Sequence, residues 1–301
     1  MTPKWKRSER VQIAVQKSGR LTDHSIALLK RCGLRLTRGT DQLLAVAENM
    51  PVDVLLVRDD EIPGLVREGA CDLGIVGLNV AEEQRLALGP EKAPPKALRN
   101  LDFGGCRLAM AYPKDGATKA VADLDGLRVA SSYPKLTARF LDQAGVKAEI
   151  VPFSGAVELA PRLGRAEAIC DLVSSGKTLA ANQLDEGETV LKSQAALLAC
   201  PAEPPAARRE LLELLKRRID GVMQARETKY IMLHAPRGAL RAIAELLPGS
   251  ESPTIMALEG SEDRVAVHAV CRESIFWETL EALKEAGASS MLVLPVEKML
   301  E

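Results

Sequence analysis

Through the first two hundred residues, short apolar runs alternate with amphipathic stretches. That rhythm restricts the chain to an α/β layered fold on largely parallel strands, because a strand buried on both faces reads as a continuous apolar run and its crossover as a helix. Val11 to Val15 reads as a strand. Asp23 to Cys32 then has helical spacing at Ile26, Leu28, Leu29 and Cys32, and stops at Gly33. Val52 to Val57 is the next strand, Ile62-Pro63 opens a helix to Glu68, and Leu73 to Val76 is a strand ending at Gly77. Leu88 to Pro95, rich in Pro, Gly and charge, reads as a loop and as the crossing between two lobes. Cys106 to Ala111, Arg128 to Ser131, Lys147 to Val151 and Ala168 to Val173 read as strands of the second lobe. One apolar strand, Thr189 to Cys200, and a helix, Ala206 to Ala225, return the chain to the first. After Ala225 the order becomes β-α-β-β-α-β, a ferredoxin-like sandwich, which is a common form for a regulatory unit.

At 301 residues the chain is long enough for two or three compact units. Forty basic residues against 41 acidic ones leave a net charge of −1, which excludes a global field for holding a nucleic-acid backbone. Any anionic ligand must be held by local groups. The apolar stretch after the polar N-terminus is too short for a signal-peptide core, and no run approaches the roughly 20 apolar residues that span a bilayer. The expectation is a cytoplasmic protein with no membrane partner. Six cysteines, Cys32, Cys71, Cys106, Cys170, Cys200 and Cys271, are widely spaced and form no C-x-x-C pair, so reduced thiols are expected. His24, His234 and His268 have no metal-ligand spacing, and no side-chain metal site is expected.

The strongest local signal runs from Ala168 to Leu179. A buried strand delivers Asp171 and then a loop of Ser174, Ser175, Gly176, Lys177 and Thr178 ahead of a helix, an arrangement that aims backbone N–H groups and hydroxyls at a phosphate. An ordinary strand-to-helix turn explains the same residues about equally well. A nucleotide-hydrolysing P-loop is rejected, because its first glycine would fall where Asp171 stands. An acid before a Ser-Ser-Gly-Lys-Thr loop instead suits a phosphorylated ribose, whose hydroxyls donate to the carboxylate while the loop holds the 5-phosphate. Glu158 follows a strand end nearby, and Gln16-Lys17-Ser18-Gly19-Arg20 follows the first strand, where ligands of open α/β sheets bind. Arg58 to Pro63 and Gly74 to Asn79 are further strand-end loops, the second with glycines that permit close backbone approach.

Together and in this order, these loops resemble the ATP phosphoribosyltransferase family. The matching stretches are QKSGRL from Gln16, RDDEIPGLVREGACDLGIVG from Arg58, LDFGGCRLAMAYP from Leu101, VASSYPKLTARFL from Val129, GAVELAPRLGRAEAICDLVSSGKTL from Gly155 and QARETKYIMLHAP from Gln224. ESPTIMAL and GASSMLVLPVEKM near the end resemble the long form, which carries a regulatory domain. The resemblance implies two α/β lobes like those of periplasmic solute-binding proteins, the first made of 1–97 and 195–225 and the second of 98–194, with the active site between them. An ACT-like βαββαβ domain would occupy 226–301. It implies Mg2+ carried by the substrate, a homo-oligomer between dimer and hexamer, and inhibition by histidine. Asp171, Lys17 and Arg20 would be catalytic, and phosphoribosyl pyrophosphate would meet Glu158, Asp171, Ser174, Ser175, Gly176, Lys177 and Thr178. ATP would meet Lys17, Gly19, Arg20, Asn79, Tyr133 and Pro134. Histidine would meet His234, Thr254 and Met256, with Ser289 and Ser290 from the end of the last helix. Ser175 stands where the family has Thr, Glu167 and Asn79 where it has Asp, and Gln42 where many members have an arginine that Arg38 would replace. A solute-binding protein on the same fold is disfavoured by the acid-plus-loop signal and the lack of a leader. A non-catalytic regulatory partner would lack the loop.

Overall fold

Apolar runs long enough to be buried on both sides become the central strands of two sheets. The computed structural model describes residues 5–38, 43–89, 91–247 and 252–297. The position of Gln42 lies outside them, and Arg38 closes a short strand. Contact density divides the chain into residues 1–212 and 213–301. In the first unit β1 (Val11–Gln16), α1 (Thr22–Arg31), β2 (Leu36–Arg38), β3 (Leu44–Ala47), β4 (Val52–Val57), α2 (Ile62–Arg67), β5 (Leu73–Gly77), α3 (Leu78–Ala87) and β6 (Lys96–Asn100) build the first lobe. The second lobe holds β7 (Cys106–Pro113), β8 (Arg128–Ser131), α4 (Pro134–Ala144), β9 (Glu149–Pro152), β10 (Ala168–Val173), α5 (Lys177–Ala181) and β11 (Leu184–Ser193). The chain then re-enters the first sheet as β12 (Ala195–Ala199) and continues into the long helix α6 (Ala206–Glu227).

The first sheet has the order β2-β3-β4-β1-β5-β12-β6, with β1 parallel to both β4 and β5. The second has the order β11-β7-β10-β8-β9, with β8, β9 and β10 parallel and β7 antiparallel to its neighbours. In both, the parallel strands aim their carboxyl ends, and so their loops, at a common crevice. Ile13, Val54, Leu56, Leu73 and Ile75 are fully buried in the first lobe, and Leu108, Met110, Val129 and Ile169 in the second, so burial of both strand faces is what the apolar runs reported.

Three expectations change. The run from Thr189 to Cys200 is two strands in two sheets, because β11 pairs with β7 while β12 pairs with β5 and β6, and the single residue Gln194 carries the chain from one to the other. The loop from Leu88 to Pro95 does not cross between lobes: β6, which follows it, pairs with β12 in the first sheet, and the crossing falls between Asn100 and Cys106. Third, the edge hairpin of β2 and β3 and the charged strand β6 were not expected as strands.

The second unit continues from α6 with β13 (Thr228–Pro236), α7 (Leu240–Leu246), β14 (Thr254–Ala257), β15 (Arg264–Arg272), α8 (Glu273–Glu285) and β16 (Ser289–Pro295). Its sheet has the order β14-β15-β13-β16 with every pair antiparallel, the split β-α-β-β-α-β arrangement. Ile231, Leu233, Val265 and Val267 pack on Ile243 of α7 and Leu283 of α8, so one sheet face is core. All six cysteines are free thiols. Among the described residues no helix is long and apolar enough to cross a membrane, and no cluster of three His, Cys, Asp or Glu side chains is placed to hold a metal.

Candidate active site

β10 runs through the middle of the second sheet and delivers Asp171 part-buried two residues before its end. The chain then turns through Ser174, Ser175 and Gly176 into α5, and the turn closes on Gly176 at φ 74°, a left-handed value that glycine adopts without steric cost. A pocket of about 330 Å³ opens there, lined by Asp171 to Leu179 together with Glu158 and Arg20. Glu158 is held by a turn in which Gly155 (φ 74°) and Ala156 (φ 46°) are both left-handed. That conformation costs an alanine about 1 kcal/mol, a strain of the kind that collects at functional sites. Burial raises the Asp171 carboxyl above its ordinary value; the N–H of Leu172 pulls the other way, and the negative charge of Glu158 adds to the rise.

A smaller pocket of about 80 Å³ adjoins the first, and Arg20 and Leu172 line both. Its walls include Asp59, Gly77, Asn79 and Cys106, and Tyr133 closes it from the second lobe. Asn79, buried between the lobes, donates from its side-chain amide to the Tyr133 hydroxyl at 2.8 Å and accepts from the Ser193 hydroxyl at 2.7 Å. Burial pushes the Tyr133 hydroxyl up, so it stays protonated. Behind it Glu83 of α3 accepts the N–H groups of Lys135 and Leu136 at 2.8 Å each, so a carboxylate from the first lobe caps α4 of the second. These contacts fix the angle at which Tyr133 meets the pocket.

The structure therefore brings Arg20, Glu158 and the stretch Asp171 to Thr178 to one pocket, and Arg20, Asn79 and Tyr133 to its neighbour. Lys17, Gly19 and Pro134 line neither. The two glycines of Gly74 to Gly77 answer to the protein's own side chains: a Cβ at Gly74 would meet Ile62 and Val66 at 2.7 Å, and one at Gly77 would meet Asn79 Oδ1 at 2.5 Å. Glu167 accepts the Arg128 guanidinium at 2.6 Å and the Arg128 N–H at 2.8 Å, a structural use of the longer acid. Asp59 and Gly104 line the second pocket without having been singled out, although each lies in a stretch quoted above.

In the second unit, Met256, Ala266, His234 and Ser289 form one row across the four strands, and Thr254 shares the face of Met256 two residues along β14. Ser289 and Ser290 open β16 rather than ending a helix, because α8 stops at Glu285 and the chain turns at Gly287 (φ 89°). Arg264 donates to the Ser289 hydroxyl at 2.7 Å and the His234 carbonyl at 3.3 Å, pinning these two strands together.

A family model described as ATP phosphoribosyltransferase matches residues 58–221, and one described as the HisG C-terminal domain matches residues 225–298. Among solved structures, the ATP phosphoribosyl transferase (HisG:HisZ) complex from Thermotoga maritima is similar at 25% identity, covering 70% of this chain and 98% of that one, with a TM-score of 0.56. The substrate-binding protein of an amino acid ABC transporter is similar at 12% identity, covering 71% and 93%, with a TM-score of 0.46. An ancestral arginine-binding protein bound to glutamine is similar at 13% identity, covering 72% and 92%, also at 0.46. With the catalytic-domain model spanning more than half of its residues and the C-terminal model most of the rest, the chain belongs to the ATP phosphoribosyltransferase family.

Proposed function

We propose that this chain carries out its family's reaction, the transfer of the phosphoribosyl group of phosphoribosyl pyrophosphate to N1 of the adenine of ATP, where the two adjoining pockets meet at Arg20. The reaction is a pentosyl transfer and the first step of histidine biosynthesis. The observation that carries the reading is that Arg20 lines both the pocket of the Asp171 to Thr178 loop and the pocket of Tyr133. In it the hydroxyls and N–H groups of Ser174 to Thr178 hold the 5-phosphate, and Asp171 accepts hydrogen bonds from the ribose hydroxyls beside Glu158. Adenine binds against Tyr133, with Asn79 acting by orienting that ring. Arg20 faces the leaving pyrophosphate, with Lys17, three residues before it in the loop after β1, as a second cation.

The charges dictate the mechanism. Adenine N1 is neutral with a free lone pair, so attack on the ribose C1 requires no general base, and the barrier lies in the departure of pyrophosphate. Catalysis is then positioning and electrostatic stabilisation, with inversion at C1 by direct displacement. Glu158 and Asp171 are hard oxygen donors in one pocket, too few for a metal cage of their own and suited to an Mg2+ ion that arrives with substrate oxygens. Such an ion supplies charge neutralisation on the leaving group. We further assign the row Met256 to Ser289, with Thr254 and Ser290, to histidine as feedback inhibitor, and a homo-oligomer between dimer and hexamer as the cytoplasmic form.

Pyrophosphate release from ATP and phosphoribosyl pyrophosphate tests the reading directly. Ser175→Ala with Thr178→Ala should raise the KM for phosphoribosyl pyrophosphate at least about tenfold and leave that for ATP in place, since a hydrogen bond to a charged group is worth about 1.5–3 kcal/mol. An unmoved KM would remove the loop from the site. Gly77→Ala should act on the other substrate. Its Cβ displaces the Asn79 amide, the Tyr133 hydroxyl loses its partner, and at about 1 kcal/mol for a neutral hydrogen bond the KM for ATP should rise about fivefold. Equal rises for both substrates would instead indicate general damage to the cleft.

A further inference from the structure

Resting on the assignment of the Asp171 to Thr178 loop to phosphoribosyl pyrophosphate, we propose that Arg107 is a positioning residue for that substrate. Paired with Glu186, it braces the loop from behind at Ser174 and cancels a carboxylate that would otherwise repel the incoming phosphate. β7 lies between β10 and β11, and in it Arg107 sits opposite Val173, the last residue of β10, and opposite Lys192 of β11. From there its guanidinium forks onto both carboxylate oxygens of Glu186 through Nε and Nη2, while Nη1 donates to the Ser174 carbonyl at 3.4 Å. One planar cation thus ties the first residue of the loop to a strand two places away in the sheet.

Glu186 is badly placed for a phosphate site unless it is neutralised. Its Oε2 lies 3.9 Å from where a Cβ on Gly176 would stand, so a carboxylate borders the turn meant to take a dianion. It cannot readily swing away. The β11 register is irregular just beyond it, between Glu186 and Thr189, and this bulge sets the direction of the side chain. Gly187 packs on the Tyr112 ring so closely that a Cβ there would come within 2.3 Å, and Glu188 accepts the Tyr112 hydroxyl at 2.5 Å and the Val121 N–H at 2.9 Å. These contacts at Gly187 and Glu188 hold the strand beside Glu186 against the loop, and Arg107 is the partner that makes its charge tolerable. An exposed ion pair usually adds little to stability, so the expected effect falls on substrate affinity.

The test compares Arg107→Met, the double variant Arg107→Met with Glu186→Gln, and Arg107→Lys in the full chain, by steady-state pyrophosphate release. Arg107→Met should raise the KM for phosphoribosyl pyrophosphate about tenfold, with kcat and the KM for ATP within about twofold, and added salt should shrink the defect because it screens an unpaired charge. Removing Glu186 as well should recover most of that loss. Arg107→Lys, which keeps the charge and loses the fork, should fall between. The brace is overturned if Arg107→Met leaves the KM unmoved, if both KM values rise together, or if the double variant is no better than the single one. Should Arg107→Met fail to fold, the lysine variant and its salt dependence decide the matter alone: a KM equal to that of the unaltered chain at every ionic strength overturns it. The Ser175→Ala, Thr178→Ala variant separates the two levels. If it too is silent toward phosphoribosyl pyrophosphate, the loop assignment fails; if it responds while Arg107→Met does not, only the brace fails.

Discussion

Asp171→Asn should lower kcat/KM for phosphoribosyl pyrophosphate by about a hundredfold or more while leaving the protein at least as resistant to heat at pH 7. Two ribose hydroxyls donating to an ionised carboxylate contribute about 1.5–3 kcal/mol each, so replacing the charge with a neutral amide costs on the order of 3 kcal/mol in binding or in the transition state. Stability moves the other way. Burial, reinforced by the charge of Glu158, raises this carboxyl in the folded chain above its unfolded value. The folded state therefore holds the proton more tightly, and the stability linked to it is fully present in acid and lost as pH climbs from the unfolded value through the folded one. Above that window the ionised acid is a standing cost, and asparagine removes it. The melting advantage of the variant should disappear as pH falls to about 4. In the unaltered enzyme the acid limb of kcat/KM should lie above the ordinary aspartate range, and Asp171→Asn should lack it. Activity within threefold of the unaltered chain would mean that this acid does not hold the ribose.

Thr254→Ala should raise the histidine concentration for half-inhibition about tenfold and leave both substrate KM values where they were. Thr254 is exposed on β14, opposite His268 and on the face that Met256 shares. An amino-acid effector lying on that face offers charged groups to its hydroxyl, and loss of one such bond is worth about 1.5–3 kcal/mol. The residues proposed for the substrates belong to the other unit, so only the coupling to them should weaken. A point substitution is the cleaner test than ending the chain after α6, because that helix from Glu213 onward belongs to the second unit and a cut there would divide it. Unchanged inhibition would remove Thr254 from the effector site.

Much of the architecture was legible because parallel strands hide both faces: Val11 to Val15, Val52 to Val57 and Ala168 to Val173 announce themselves as uninterrupted apolar runs. What escaped lies at sheet edges. Leu36–Arg38 is three residues, two of them exposed, and Lys96–Asn100 is largely exposed and charged, so neither carries an apolar signal. The split of the run around Gln194 was missed for another reason: Lys192, Ser193 and Gln194 do interrupt it, but a short polar step within a run does not say that the chain changes sheets, which is decided by the distant strands each half pairs with. At the site, the loop after Asp171 could be read locally, because acid, hydroxyls and glycine adjoin in the chain. Arg107 and Glu186 could not, as their meeting depends on the order of β10, β7 and β11.

The seam between the lobes has one more consequence. Where the chain crosses outward, Leu101 and Phe103 exchange backbone hydrogen bonds with Ala195, the first residue of the return, and Gln194 accepts from Leu78. The two crossings are thus stitched into a single ribbon instead of hanging as independent tethers. Glu83 on the N–H groups of α4 and Asn79 on the Tyr133 hydroxyl tie the halves again away from that ribbon, so the seam is held along its length and not at the crossings alone.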